Sequence, residues 1–201
     1  MAAPRSTIRR VIGRLLSTAG LSVLCSTASA AELEDVTVER VDGRYELRSE
    51  TVFDAGQQDL YRILTDYDQF RKFTSAFTVS ENRPPDEQGR PQFYNEMEGC
   101  VLFFCVTFKR FGHLELTPES HIRAVVDPEQ SDFEYSQEEW TLITEGEQTR
   151  MIYEFAMEPS FWVPPVVGPF YIRRALRAGA VRAVDRIEAL AQGRETKFPV
   201  E

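Results

Sequence analysis

Arg150 to Ala191 reads RMIYEFAMEPSFWVPPVVGPFYIRRALRAGAVRAVDRIEALA, and inside it one period gives way to another. Met151, Tyr153, Phe155 and Met157 alternate with Ile152, Glu154, Ala156 and Glu158, the period of a strand with one buried face. A Pro-interrupted apolar run, Phe161 to Phe170, ends the alternation. Beyond it Ile172, Leu176, Gly179, Ala180, Ala183, Ile187 and Leu190 form one stripe, which predicts a helix from Pro169 to about Ala191. Pro169, following Gly168, suits a first helical position. Ala175, Gly179, Ala180 and Ala183 make the centre of this helix small, so it either approaches a sheet closely or leaves volume beneath it.

Upstream, Tyr45, Leu47, Ser49, Thr51 and Phe53 alternate with Arg44, Glu46, Arg48 and Glu50, which predicts a half-buried strand. Gln57 to Thr65 carries Leu60, Ile63 and Leu64 at helical spacing, and Tyr67 to Phe73 reads as a second short helix. Further strands are expected at Thr78–Asn82, Gln92–Gly99, Val106–Leu116, Ile122–Val126 and Phe133–Thr144, with a turn at Pro84-Pro85-Asp86-Glu87-Gln88-Gly89. The order predicts an α+β domain in which a curved antiparallel sheet of about seven strands wraps a long C-terminal helix, with two short helices after the first strand. Residues 44–193 form that domain, 31–43 a segment ahead of it and 194–201 a tail.

The first thirty residues differ in kind. Arg5, Arg9, Arg10 and Arg14 occur without an acid, Leu15 to Leu24 is mostly apolar, and Ala28-Ser29-Ala30 supplies a small-residue cleavage site. This pattern describes a secretory signal peptide cut between Ala30 and Ala31, and so an exported protein, expected in a bacterial periplasm. The chain of 201 residues has a net charge of −9, which becomes −13 without the four leader arginines. An acidic protein lacking a basic tract is a poor nucleic-acid partner. The terminal helix is the exception, with five arginines against Asp185 and Glu188.

Little in the sequence points to catalysis. His113 and His121 are the only histidines, Cys100 and Cys105 lack zinc-site spacing, and there is no phosphate loop or nucleophile elbow. No catalytic residue, metal or cofactor is assigned; Glu134, Glu138 and Glu154 read as solvated strand faces. Cys100 and Cys105 are a disulfide candidate in an oxidising compartment. Five residues of extended strand span roughly 16 Å, whereas bridged Cα atoms lie within about 7 Å. A bridge therefore requires a turn in Val101-Leu102-Phe103-Phe104; a continuous strand leaves both thiols free, and the two outcomes stay open.

Phe53-Asp54-Ala55, Leu64-Thr65-Asp66-Tyr67-Asp68-Gln69-Phe70, Glu139-Trp140-Thr141-Leu142, Thr149-Arg150-Met151-Ile152-Tyr153 and Phe161-Trp162-Val163-Pro164-Pro165, in this order, resemble the START-like helix-grip (SRPBCC) superfamily, in an exported bacterial branch. Its members include polyketide cyclases, coenzyme Q-binding proteins and lipid-transfer START domains. The resemblance spans roughly Arg44 to Ala191 and implies a cavity between sheet and terminal helix for a lipid, a quinone or an aromatic, polyketide-like compound. Tyr94, Phe108, Trp140, Tyr153 and Phe155 are the wall candidates, with Leu176, Ala180 and Ala183 on the helix and Trp162 before it. Two other readings of the same fold stand beside a carrier. An enzyme of the cyclase or hydrolase kind needs an ionisable group in the cavity, such as His113 or a strand Glu. An interaction module has a filled core and uses the Phe161–Phe170 surface for a protein partner. The apolar segments Val101–Phe104 and Phe161–Phe170, with Arg173, Arg174 and Arg177 nearby, are further expected to pack on each other, to cap the cavity mouth, or to touch a membrane during ligand exchange.

Overall fold

The computed structural model describes residues 31–101 and 104–194, so the signal-peptide reading and all of the tail except Arg194 lie outside the described residues. Eight strands are present: β1 (Glu32–Val41), β2 (Arg44–Phe53), β3 (Phe77–Arg83), β4 (Gln92–Val101), β5 (Phe104–Thr117), β6 (His121–Val126), β7 (Phe133–Glu145) and β8 (Gln148–Pro159). Helix α1 (Gln57–Thr65), a 3-10 turn (Tyr67–Gln69) and α2 (Phe70–Phe73) connect β2 to β3, and α3 (Gly168–Ala191) follows β8. The strands form one antiparallel sheet in the order β1-β2-β8-β7-β6-β5-β4-β3. Every ladder joins neighbours in sequence except β2 with β8. This is the curved α+β helix-grip architecture.

Residues 31–43, expected ahead of the domain, are instead its edge strand. β1 pairs with β2 along its whole length, through an Asp42-Gly43 turn whose two φ angles are +50° and +94°. Two positive φ angles are what a tight hairpin matching strand twist requires, and Asp-Gly supplies them at least cost. A register shift between Leu33 and Asp35 breaks the alternation that would have revealed the strand. The sheet therefore has eight strands rather than seven.

Period-two alternation sorts the sheet into two faces. The outer face carries ion pairs such as Arg150 with Glu50 at 2.7 Å and Arg123 with Glu115 at 3.2 Å. The inner face buries Phe53, Phe93, Leu114, Ile122, Trp140, Leu142 and Met151 against α1, α2 and the C-terminal half of α3. Tyr67 stacks between Phe70 and Phe93, with ring centroids 4.0 and 4.3 Å away. Gly112 lies under this stack, where a Cβ would come within 2.2 Å of the Val125 carbonyl oxygen and 2.9 Å of the Phe93 ring. Only glycine leaves that space to Phe93.

Helix α3 is gripped unevenly. Val184, Ile187 and Glu188 near its C-terminus are buried, whereas Ile172, Leu176, Ala180 and Ala183 are half-buried. The Glu188 carboxylate accepts hydrogen bonds from the backbone N–H groups of Ala31 and Asp54, each at 2.9 Å. The Gln192 amide donates to the Asp54 carbonyl at 2.7 Å. The C-terminal half of the helix is thus bolted to the beginning of β1 and the end of β2, and the N-terminal half is freer.

Candidate functional site

The inner face divides into two lobes. The lobe under α1 and α2 is packed shut, with Phe53, Leu60, Leu64, Tyr67, Phe93 and Ile122 fully buried. The second lies under the N-terminal half of α3. Tyr45, Leu47, Phe133, Phe155 and Met157 form its floor, and Met97, Phe108, Phe161, Ile172 and Leu176 pack against them while retaining solvent contact. Phe161, just after β8, stacks on Phe108 at 4.2 Å. The half-open lobe is therefore bounded by β5, the Phe161 segment and α3.

A polar band runs between the lobes. Arg110 on β5 is 1% exposed, and its Nη2 lies 2.5 Å from Oε1 of Glu138 on β7, itself 5% exposed. The guanidinium sits 5.9 Å from the Phe93 ring of the shut lobe and 5.8 Å from the Phe155 ring of the half-open one. Asn95 faces Arg110 across the β4–β5 ladder and is fully buried. Its Oδ1 lies 3.1 Å from the Ser80 hydroxyl, which donates to the Tyr67 carbonyl at 2.6 Å. Among the described residues, Asn95 Nδ2, Arg110 Nε, Tyr67 Oη and Ser136 Oγ have no hydrogen-bond partner. Buried polar atoms of native proteins are nearly always paired, so four unpaired ones in one region call for a partner.

Electrostatics fix the state of this band. Burial works against the Arg110 charge, but Glu138 and the neighbouring tyrosines outweigh it and hold the guanidinium above its ordinary value. Burial, reinforced by the Glu138 charge, pushes the Tyr67 and Tyr153 phenols well above their usual range. Both are neutral at physiological pH. With Arg110 balanced by Glu138, the band offers hydrogen-bond donors without a net charge.

The structure distributes the wall candidates unevenly. Phe108, Tyr153, Phe155, Leu176 and Ala180 come together in the half-open lobe. Trp140 and Ala183 belong to the shut lobe, with Trp140 stacked on Tyr153 at 5.3 Å. Tyr94 is on the other face. Phe93 and Asn95 take the inward positions of β4, leaving the Tyr94 hydroxyl to donate to Glu96 at 2.6 Å, with its phenol pushed up to about 12 by that bond. Trp162 is 79% exposed and lines nothing. Cys105 is disulfide-bonded, and Cys100 faces it directly in the β4–β5 register. The β4–β5 ladder continues past them to Val101 opposite Phe104.

Glu134 and Glu154 are solvated, but Glu138 is not, which corrects the solvated reading of that strand face. Arg110 was not anticipated either. Its signal is present: Phe108, Arg110, Gly112 and Leu114 share one phase, as do Ser136, Glu138, Trp140 and Leu142, so each charge interrupts an inward run. His113 and His121 lie outside, His113 Nε2 at 2.9 Å from Arg90 and His121 Nε2 at 3.4 Å from Glu139. Two surface clefts of about 420 and 350 Å³ are also outside the grip, one over the charged outer face of β1, β2, β8 and β7, the other beside Arg90 and His113. Among the described residues no group of three or more His, Cys, Asp or Glu side chains forms a cation cage, and no helix is long and apolar enough to cross a membrane.

Residues 54–180 match the family described as polyketide cyclase / dehydrase and lipid transport, and the chain belongs to it. No curated protein sequence matches. Solved structures show the same fold at low identity. A START superfamily protein from Mycobacterium smegmatis has a TM-score of 0.58 at 16% identity, covering 72% of this chain and 98% of its own. A STAR-related lipid transfer protein fragment from Xanthomonas axonopodis has a TM-score of 0.56 at 14% identity, covering 82% and 99%. An aromatase/cyclase from Streptomyces sp. R1128 has a TM-score of 0.54 at 14% identity, covering 74% and 94%. The fold is that of a hydrophobic-ligand-binding family.

Proposed function

We propose that this protein is an exported carrier for a hydrophobic small molecule bearing one polar end, such as a lipid, a quinone or a polyketide-like aromatic. The observation that carries the reading is the set of unpaired buried polar atoms around Arg110 and Glu138, at the inner limit of an otherwise apolar, half-open lobe. An apolar ligand body against Phe108, Phe155 and Leu176 gains about 25 cal/mol per Å² removed from water. Its polar end then meets the unsatisfied donors Arg110 Nε, Asn95 Nδ2 and the neutral Tyr67 hydroxyl. Because the pair is already neutral, a carbonyl or hydroxyl suits these donors better than a second charge.

Native mass spectrometry with organic extraction of the protein from an exporting host tests this. The expected result is a co-purifying apolar molecule carrying a carbonyl or hydroxyl, lost when Arg110 and Glu138 are replaced together by Met and Leu. Repeated empty spectra would sink the carrier. A cyclase-type enzyme is the second reading, favoured by Glu138 as an ionisable group inside the grip. It differs in one readout: an enzyme changes the mass of the extracted molecule on incubation, and a carrier returns it unaltered.

Ligand exchange at a membrane completes the proposal. Trp162, Val166 and Phe170 are 79%, 87% and 57% exposed, and Arg173, Arg174 and Arg177 stand exposed one turn further along α3. From Pro159 to Val184 there is no acidic residue. Apolar side chains beside cations suit an anionic bilayer surface, and this one adjoins the half-open lobe through Phe161.

A further inference from the structure

The main unexplained charge in the described part of the molecule is Glu188. It is 3% exposed, on the buried face of α3, and its carboxylate accepts from the backbone nitrogens of Ala31 and Asp54 at 2.9 Å each. Arg194 reaches it only at 4.0 Å from Oε2 and is 58% exposed at its side chain. Both close donors are therefore neutral amides. Burying a carboxylate is costly unless a counter-charge reaches it. One of those donors is the first residue after the expected cleavage site, Ala28-Ser29-Ala30.

We infer that removal of the leader after Ala30 supplies a close cation, so that the mature amino terminus is a structural ammonium paired with Glu188. The inference rests on the export reading. Hydrolysis of the Ala30–Ala31 bond consumes one water and leaves a carboxylate on Ala30 and an amine on Ala31. That amine takes up a proton below its ordinary titration near pH 8. The nitrogen is already 2.9 Å from Glu188 Oε2, so cleavage changes its charge and not its place. A neutral N–H···O⁻ contact becomes a charge-assisted one. The Ala31 side chain packs against the main core, which holds the terminus there. Cleavage at a neighbouring bond would put the amine one residue, about 3 Å, away. Only a cut at the Ala30–Ala31 bond therefore places the amine against Glu188, and the clamp tightens α3 onto β1 and β2 only in the processed chain.

The pH dependence has a definite sign. An ammonium beside a carboxylate titrates above its unfolded value, so its contribution is complete below about pH 8 and disappears as the pH rises through the folded value. The other charged groups at this place are Asp54 after β2, Glu188 on α3, and Arg194.

The test compares residues 31–201 carrying a free amine with the same chain acetylated at Ala31, which reproduces the uncharged amide of the precursor. At pH 6.5 the free-amine chain is expected to melt about 3 °C higher, with the gap closing at alkaline pH and absent in Glu188→Gln. An NMR titration of the wild-type amine needs no variant, and it should place the folded amine above the ordinary α-amino range. Equal melting curves, or an amine titrating at its ordinary value, would overturn the clamp. Intact mass of the exported protein is a separate readout: a mass retaining residues 1–30 overturns the export reading, whatever the melting curves show.

Discussion

Arg110 is the residue on which the reading of this molecule turns. A guanidinium that is 1% exposed between two aromatic rings is stable only because Glu138 lies against it. Arg110→Met alone strands the Glu138 carboxylate and is expected to cost about 3–5 kcal/mol in urea unfolding, whereas the double variant with Glu138→Leu recovers most of that loss. If the double variant is as unstable as the single one, the pair matters for packing and not for charge. Tyr67 is its neighbour in the same band. A phenol held above its ordinary value contributes stability that is complete below about pH 10 and is lost as the pH rises through the folded value. Alkaline unfolding should therefore begin above pH 10 and flatten in Tyr67→Phe, measured by circular dichroism across that range. A search for aromatic walls does not show the polar role of either residue. An inward charge looks the same in sequence as an outward one until the strand's phase is counted, and β5 carries Lys109 and Arg110 on opposite phases.

At the scale of elements, the sequence read well where a period ran unbroken. β2, α1, β8 and α3 lie within a residue or two of expectation because each buries one clean face. β1 was missed where a bulge near Leu33 interrupts its alternation, and Tyr94 was set on the wrong face because the aromatic at 93 shares its neighbourhood with the aromatic at 94. The β4–β5 hairpin shows the opposite case. Spacing alone leaves the Cys100–Cys105 bridge open, whereas the register places the two residues opposite each other and Cys105 is disulfide-bonded. The oxidised protein is thus expected to show no free thiol from these two residues on titration in denaturant, with two appearing after reduction. One free thiol or more before reduction would contradict the pairing.

Across the whole molecule, charge is segregated. The outer sheet face is laced with acid–base pairs, while the stretch from Pro159 to Val184 has arginines and no acid. Trp162 and Trp140 are the only tryptophans, one 79% exposed and one 4%. This makes emission a reporter of the proposed membrane contact: on vesicles containing anionic lipid the spectrum should shift to the blue, and Trp162→Ala should abolish the shift. Neutral vesicles should give several-fold weaker partitioning, because the arginines then lack phosphate partners of net negative surface. An unchanged spectrum on both kinds of vesicle would remove the membrane from the proposal.

The single ladder that joins strands distant in sequence also sets the order in which the protein comes into being. Arg48 and Glu154, partners across β2 and β8, are 106 residues apart, whereas every other ladder closes a local hairpin or short excursion. The meander from β3 to β8 can assemble progressively, but the β1–β2 hairpin has no second neighbour until β8 is made. A two-stranded hairpin alone is at best marginal in water. The amino-terminal strands therefore wait for the carboxy-terminal ones, and their docking carries the largest loop-closure entropy among the ladders. Folding is completed from the back, and any chain that ends before β8 leaves its beginning unfolded.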